Sequence, residues 1–558
     1  MIYRKSYFKF ILIIHLLMLF GCKSGVEKQS VNNETTHLSK NYISKVWQSD
    51  LGDGTYTNPI LYADYSDPDV IRVENNYYMT ASSFNCVPGL PILYSKDLVN
   101  WEIISYALEK QIPEEVFDIP QHSKGVWAPA IRYHKGEFYI YWGDPDFGVY
   151  MVKTNDINGK WSKPVLVMAG KGIIDPCPLW DGENTYLIHA WAGSRAGINS
   201  VLTINKMNAE GTMVLDEGQN VFDGHDKHHT MEGPKLYKKD GYYYIFAPAG
   251  GVETGWQVVM RSKNIYGPYE DKIVLEQGST AVNGPHQGAW VTTQDDKSWF
   301  MHFQDQGVYG RVLHLQPMEW KEGWPVIGKD LDGNGVGEPI PSGVKPVTGN
   351  NLPIMQPVEN DEFENGKPGL QWQWYANSSV KWSAQIPGTN YLRLFTISKK
   401  EEPNLWNVPN LLLQKLPAPN FTATTKVKLT TEWETSGKKT GLLLMGKSYT
   451  YAAIAFHDGK YWIQQVNCVD AIDGTPEKVI EEKPLSSNEV QLRMKITTPD
   501  ANCQFSYSEN GIDFVRIGKP SKAEKDLWIS AKIGIFAISQ PNVRMGGYAD
   551  FEWFRIEK

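Results

Sequence analysis

The chain has 558 residues, a net charge of −8 and a pI near 5.9, and no block of lysine or arginine stands out after its first ten positions. That balance argues against nucleic-acid partners, and the length leaves room for two or more domains with sizeable cores. Aromatics reach 12 %, with 20 Trp and 29 Tyr; most suit the pleated surfaces of strands, and a handful suit stacking on the apolar faces of sugar rings.

Residues 1–22 read as a targeting segment. Arg4, Lys5 and Lys9 form a basic start, Phe10 to Phe20 an apolar run too short to span a bilayer comfortably. Leu19-Phe20-Gly21-Cys22 resembles a bacterial lipobox, with cleavage before Cys22 and lipid on its thiol. The expectation is export to a bacterial cell envelope, facing the periplasm or the cell surface, with membrane contact through that lipid only. An ordinary secretory signal is the alternative. Residues 23–50 are polar and without period, as expected of a flexible tether. Four further cysteines, Cys86, Cys177, Cys468 and Cys503, allow three pairings or none, and the absence of CxxC spacing speaks against zinc.

From residue 51 to about 345 one phrase recurs five times: a proline, a short apolar run, a turn, an aromatic strand. The prolines are Pro68, Pro129, Pro176, Pro234 and Pro285, spaced 61, 47, 58 and 51 residues apart. Tyr78, Tyr139, Tyr186 and Tyr244 each fall ten residues after their proline, and Trp299 stands fourteen after the last. A period near 50 built from short strands predicts a β-propeller with one copy per blade. Three copies carry an acid one or two residues before the proline: Asp67, Asp175 and Glu232. Equivalent positions of different blades face one axis, so these acids should meet. Trp127 and His286 hold related places in the other two copies.

Near Asp330 the texture changes. Asp330-Leu331-Asp332-Gly333-Asn334-Gly335 begins like an EF-hand loop, but Pro341 occupies the place of the bidentate glutamate and the motif fails. A Gly/Pro-rich connector leads to residues 350–558, where alternating runs such as 423–429, 441–445 and 490–496 predict a β-sandwich. Asp361 near its first strand and Asp550 near its last are candidates for a structural calcium site. The histidines of the GHDKHHT run (His225, His228, His229) lack the helical register of a zinc motif. The whole chain reads as all-β: a five-bladed propeller followed by a sandwich.

Hydrolysis of a glycosidic bond requires one ionised carboxylate and one protonated carboxyl group. A third carboxylate nearby can hold the acid's proton on by repulsion. Three acids in register provide these parts, and no organic cofactor is needed for such chemistry.

The motifs resemble glycoside hydrolase family 43. The likeness runs through Asn58-Pro59, Ser66-Asp67-Pro68-Asp69, Trp127-Ala128-Pro129, Ile174-Asp175-Pro176, Glu232-Gly233-Pro234, Gly284-Pro285-His286-Gln287-Gly288 and Gly310-Arg311-Val312-Leu313-His314. It continues in Leu370-Gln371-Trp372-Gln373-Trp374 and Leu405-Trp406-Asn407-Val408-Pro409-Asn410, similar to the family's accessory, concanavalin-like sandwich. The resemblance implies an inverting mechanism on furanosides or pyranosides of arabinose or xylose, and a deep axial pocket would favour exo-acting removal of xylosyl or arabinofuranosyl residues from oligo- or polysaccharides of plant type. It implies Asp67 as general base, Glu232 as general acid and Asp175 as the group that orients Glu232 and raises its pKa. Trp127, Arg311, Phe84 and His286 would contact the sugar, and His286 could also hold a central cation, often calcium, or an ordered water. Two alternatives stay open: a glycosidase for galactofuranose or galactose, and a non-catalytic surface protein that captures sugars.

Overall fold

The computed structural model describes residues 42–347, 349, 352–399, 401–432, 436–541 and 546–558, within one compact unit, Asn41–Lys558. Cys22 and the segment read as a leader lie outside the described residues.

Each copy of the proline phrase opens one four-stranded antiparallel sheet, and five such sheets form the propeller. Their innermost strands are Asp69–Val73, Trp127–His134, Ile173–Asp181, Lys235–Lys239 and His286–Thr292. The second strands, such as Asn76–Thr80 and Glu137–Asp144, are almost wholly buried, because both faces of a blade pack on neighbouring blades. That burial explains the aromatic runs. Ile140 and Trp142 pack in one inter-blade core, and Tyr139 and Tyr141 point the other way into the next.

The ring closes through the segment before the first blade. Thr55–Thr57 pairs with Ser342–Val344, and Leu61 bridges Leu313 of the fifth blade. Asn58 completes the seam: its amide donates to the carbonyls of Leu315 and Ile340, both at 2.9 Å, and accepts from the Leu315 N–H at 2.8 Å.

The C-terminal domain is a sandwich of an eight- and a seven-stranded sheet. Alternation sets its core: in Phe421–Thr431 the side chains of Phe421, Ala423, Val427 and Leu429 face inward, joining Leu442, Leu444 and Ile535 from the opposite sheet. The sandwich also stitches to the propeller. Val87 and Trp374 exchange backbone hydrogen bonds at 3.0 and 2.6 Å, Asn85 donates to the Tyr375 carbonyl, and Asn377 bonds the backbone of Gln111 in both directions.

Two expectations need correction. The tether expected to run to residue 50 ends earlier: Ser44 bonds Gln356 and Glu359, and Val46 enters the sandwich core. The polar composition of the stretch concealed those two anchors. Asp361 and Asp550 are not gathered into a metal site among the described residues, and each has partners of its own. Asp361 accepts from the N–H groups of Phe363 and Gly369 and from the Trp372 indole. Asp550 is held by both nitrogens of the Arg393 fork at 2.7 and 2.8 Å.

The carboxylate of Asp330 accepts from the N–H groups of Gly333 and Gly335 within its own turn. Cys86, Cys177, Cys468 and Cys503 are all buried free thiols.

Candidate active site

The residue before each blade's proline adopts a left-handed backbone. The φ values are +55° at Asp67, +24° at Ala128, +56° at Asp175, +58° at Gly233 and +48° at Gly284. Aspartate tolerates this region better than most residues, and strain of this kind, of order 1–3 kcal/mol per residue, gathers at functional sites. The shared turn accounts for the offset among the acids. In the fourth copy Gly233 takes the strained position and Glu232 stands one residue earlier. A Cβ at Gly233 would also meet the Gln287 side chain at 2.7–2.9 Å.

All three acids line one cavity of about 430 Å³. Asp67 is buried, and its two oxygens have different partners: Oδ1 accepts from Arg311 Nη1 at 3.0 Å and Oδ2 from Ser82 Oγ at 2.5 Å. Ser82 in turn accepts from the Ala128 N–H at 2.8 Å, which ties the first acid to the second blade. Asp175 Oδ2 accepts from the Gly233 N–H at 2.7 Å, so the third blade grips the residue next to Glu232. Glu232 itself is 29 % exposed at the cavity wall, and no hydrogen bond orders its carboxyl oxygens among the described residues.

Burial raises the carboxyl pKa of both Asp175 and Glu232. For Glu232 the next cause is the charge of Asp175; for Asp175 it is that of Asp67. The Gly233 N–H and the buried Lys235 oppose the rise at Asp175. Glu232 has no such donor, and only Arg311 pulls its pKa down. The pair as a whole therefore favours holding a proton, and the donors that favour the charged form lie mostly on the Asp175 side.

Trp127, Arg311 and Phe84 line the same cavity. Trp127 lies edge-on to Phe84 with centroids 6.4 Å apart, and the Arg195 guanidinium sits 5.7 Å from its ring. Arg311 is engaged in the ion pair with Asp67 and lies over the Phe303 ring.

His286 falls elsewhere. It is fully buried, does not line the cavity, and has its Nε2 3.8 Å from Glu232 Oε1. A break in pairing register between His286 and Gly288 turns it behind the acid and leaves Gln287 at the wall. Both imidazole nitrogens lack a protein partner, and burial first, then Arg311, lowers the ring's pKa to about 3, so it is neutral. Calcium takes six to eight oxygen ligands. Among the described residues no group of three or more His, Cys, Asp or Glu side chains is arranged to hold a metal ion. His228, by contrast, is occupied at both nitrogens, by Asp271 at 2.9 Å and the Trp256 indole.

Among the wall residues that escape the repeat are Trp191, Gln287 and Trp528. Gln287 is part of the motif quoted above but stands one place past its histidine. Trp191 closes the strand Asn184–Trp191. Trp528 belongs to the sandwich, is 53 % exposed, has φ +67° and lies edge-on to Trp127 at 6.4 Å. No local pattern singles it out among 20 tryptophans.

Comparison with known proteins agrees with this architecture. Residues 56–325 match the model for glycosyl hydrolases family 43, and residues 360–557 match the β-xylosidase C-terminal concanavalin A-like domain. A putative β-xylosidase of Xylanibacter ruminicola is 38 % identical over 497 residues, 88 % of either chain. A β-xylosidase of Formosa agariphila is 31 % identical over 598 residues, covering 98 % of this chain and 97 % of its own. A non-reducing end α-L-arabinofuranosidase of Bacteroides ovatus is 30 % identical over 400 residues, covering 68 % and 71 %. Among solved structures, a variant of the family 43 protein BlXynB from Bacillus licheniformis superposes with a TM-score of 0.77 at 28 % identity, over 90 % of this chain and 99 % of that one. On its catalytic propeller and its sandwich alike, the chain belongs to glycosyl hydrolases family 43.

Proposed function

We propose that the protein is an exo-acting, inverting glycosidase that removes terminal xylosyl or arabinofuranosyl residues from fragments of plant polysaccharides. The observation that carries this reading is the unequal treatment of the acids. Asp67 is fixed by Arg311 and Ser82, whereas Glu232 stands unbonded beside a buried carboxyl that favours its protonated form.

In this reading Asp67 takes a proton from a water as its oxygen attacks the anomeric carbon. Glu232 gives its proton to the glycosidic oxygen as the bond to the leaving sugar breaks. Asp175 holds Gly233 and so aims Glu232. Water arrives on the face opposite the leaving group, and the configuration inverts. Trp127, Phe84, Trp191 and Trp528 give apolar walls to a single terminal ring, and this enclosure favours chain ends over internal sites. Relatives named for xylosidase and for arabinofuranosidase activity support both sugars as candidates. The basic, apolar and Cys22-containing start supports export and a lipid anchor.

The test is hydrolysis of p-nitrophenyl β-xyloside, α-arabinofuranoside and the galactose counterparts, with the released anomer followed by NMR. Release of xylose or arabinose with inverted configuration is expected. Retention of configuration, or oligosaccharide binding without release, would overturn the reading.

A further inference from the structure

We propose that Asp64 is a positioning residue: one buried carboxylate that ties the sandwich loop carrying Trp528 to the propeller wall carrying Arg311 and Asp67. The proposal rests on the roles given above to those three residues.

Asp64 is 2 % exposed, and both of its oxygens are used. Oδ1 accepts from the Arg311 N–H at 3.0 Å and from Ser66 Oγ at 2.9 Å, and Ser66 immediately precedes Asp67. Oδ2 accepts from the N–H of Ser530, two residues after Trp528, at 2.8 Å. The neighbouring Gly310 makes room for this approach. It has φ +79°, and a Cβ there would meet Asp64 Cγ at 2.5 Å. Lys415 of the sandwich donates to the Asp64 carbonyl at 2.5 Å, so side chain and backbone both hold the same junction.

A carboxylate buried alone costs several kcal/mol. Here three donors and the half-buried Lys415 offset that cost, which favours the charged form. The loop's other end is fixed as firmly, because Asp526 accepts from the Tyr375 hydroxyl and the Leu527 N–H and contacts His122. Between the two anchors Trp528 keeps a left-handed backbone that a free loop would relax. A purely stabilising carboxylate has no reason to contact both walls of one pocket. Asp64 bonds the backbone of one wall residue, the serine beside the base, and the loop of the opposite wall.

The experiment uses Asp64→Asn in the full chain, which keeps the shape but removes the charge and sets an NH₂ against N–H donors. Amide exchange is expected to quicken about tenfold or more at residues 526–531 and 310–312, with the distant strand Glu137–Asp144 unchanged. For terminal-sugar release, kcat/KM should fall about tenfold or more, mainly through KM. When combined with Trp528→Ala, the loss should be at least about fivefold smaller than the product of the single losses, the mark of two residues acting through one element. Unchanged exchange at both segments, or simply multiplicative losses, would overturn the proposal. Should Asp64→Asn not fold, Ser530→Pro removes the sandwich donor alone and must show the same non-multiplicative loss. Exchange does not require turnover. A protein inactive on every glycoside would therefore sink the functional reading, while the exchange rates at the two segments would still support or overturn the clamp.

Discussion

The two walls of the pocket are built on different principles. On the propeller side, one turn is used five times, and its copies deliver Asp67, Asp175 and, offset by one, Trp127 and Glu232 to a shared axis. On the sandwich side, a single loop held at Asp526 and Ser530 delivers one tryptophan. The repeated wall is redundant in architecture and specialised only in side chains. The other wall depends on contacts between domains that nothing repeats. The chemistry should therefore fail at the first wall and the fit at the second.

The largest expected effect is on the repeated wall. Glu232→Gln should lower kcat on xylobiose or another unactivated substrate by about 10²–10⁴-fold with the fold retained. Circular dichroism and kinetics on the same sample check it, and near-normal turnover would remove Glu232 from its role. Next comes the sandwich wall. Trp528→Ala should raise KM about tenfold while kcat changes less, since it removes an apolar contact made in ground and transition states alike. An equal fall in kcat would mean that the loop shapes the reacting geometry and not only the fit.

A third expectation concerns pH. A carboxyl whose folded pKa lies above its unfolded value binds more protons in the folded state, so it lowers stability as pH rises between those two values. Glu232 is such a group. Glu232→Gln should therefore melt at a higher temperature than the parent at pH 8 and at nearly the same temperature at pH 4, where both forms are neutral. Calorimetry at the two pH values decides it, and a variant less stable at pH 8 would contradict the raised pKa. The smallest effect lies far from the pocket. Arg393→Met breaks the pair with Asp550 at a partly exposed sheet edge and should cost only about 1 kcal/mol in urea unfolding, with activity unchanged.

The blade phrase is legible because a propeller must solve the same packing problem five times. A proline fixes each opening, an aromatic fills each seam, and an acid in that register is drawn to the axis. The sandwich is legible as alternation, from runs such as Phe421–Thr431. His286 shows the limit of reasoning from register: its place after Pro285 points to the cavity, but one irregular residue in the ladder turns it inward and gives the wall to Gln287. The segment 42–50 misleads for a related reason. Ser44 and Val46 matter only through distant partners, with Ser44 reaching Gln356 and Glu359 more than 300 residues away, and polarity alone does not announce them.

By itself the order of residues determined the all-β class, the five blades and the three acids, because each rests on local periodicity and a turn that repeats. Tertiary structure alone decided that Asp175 grips the residue beside Glu232, since the Gly233 N–H must reach it from the neighbouring blade. It also decided that Trp528 completes the pocket, since the sandwich must first dock on the propeller and Asp64 must find Ser530 466 residues along the chain.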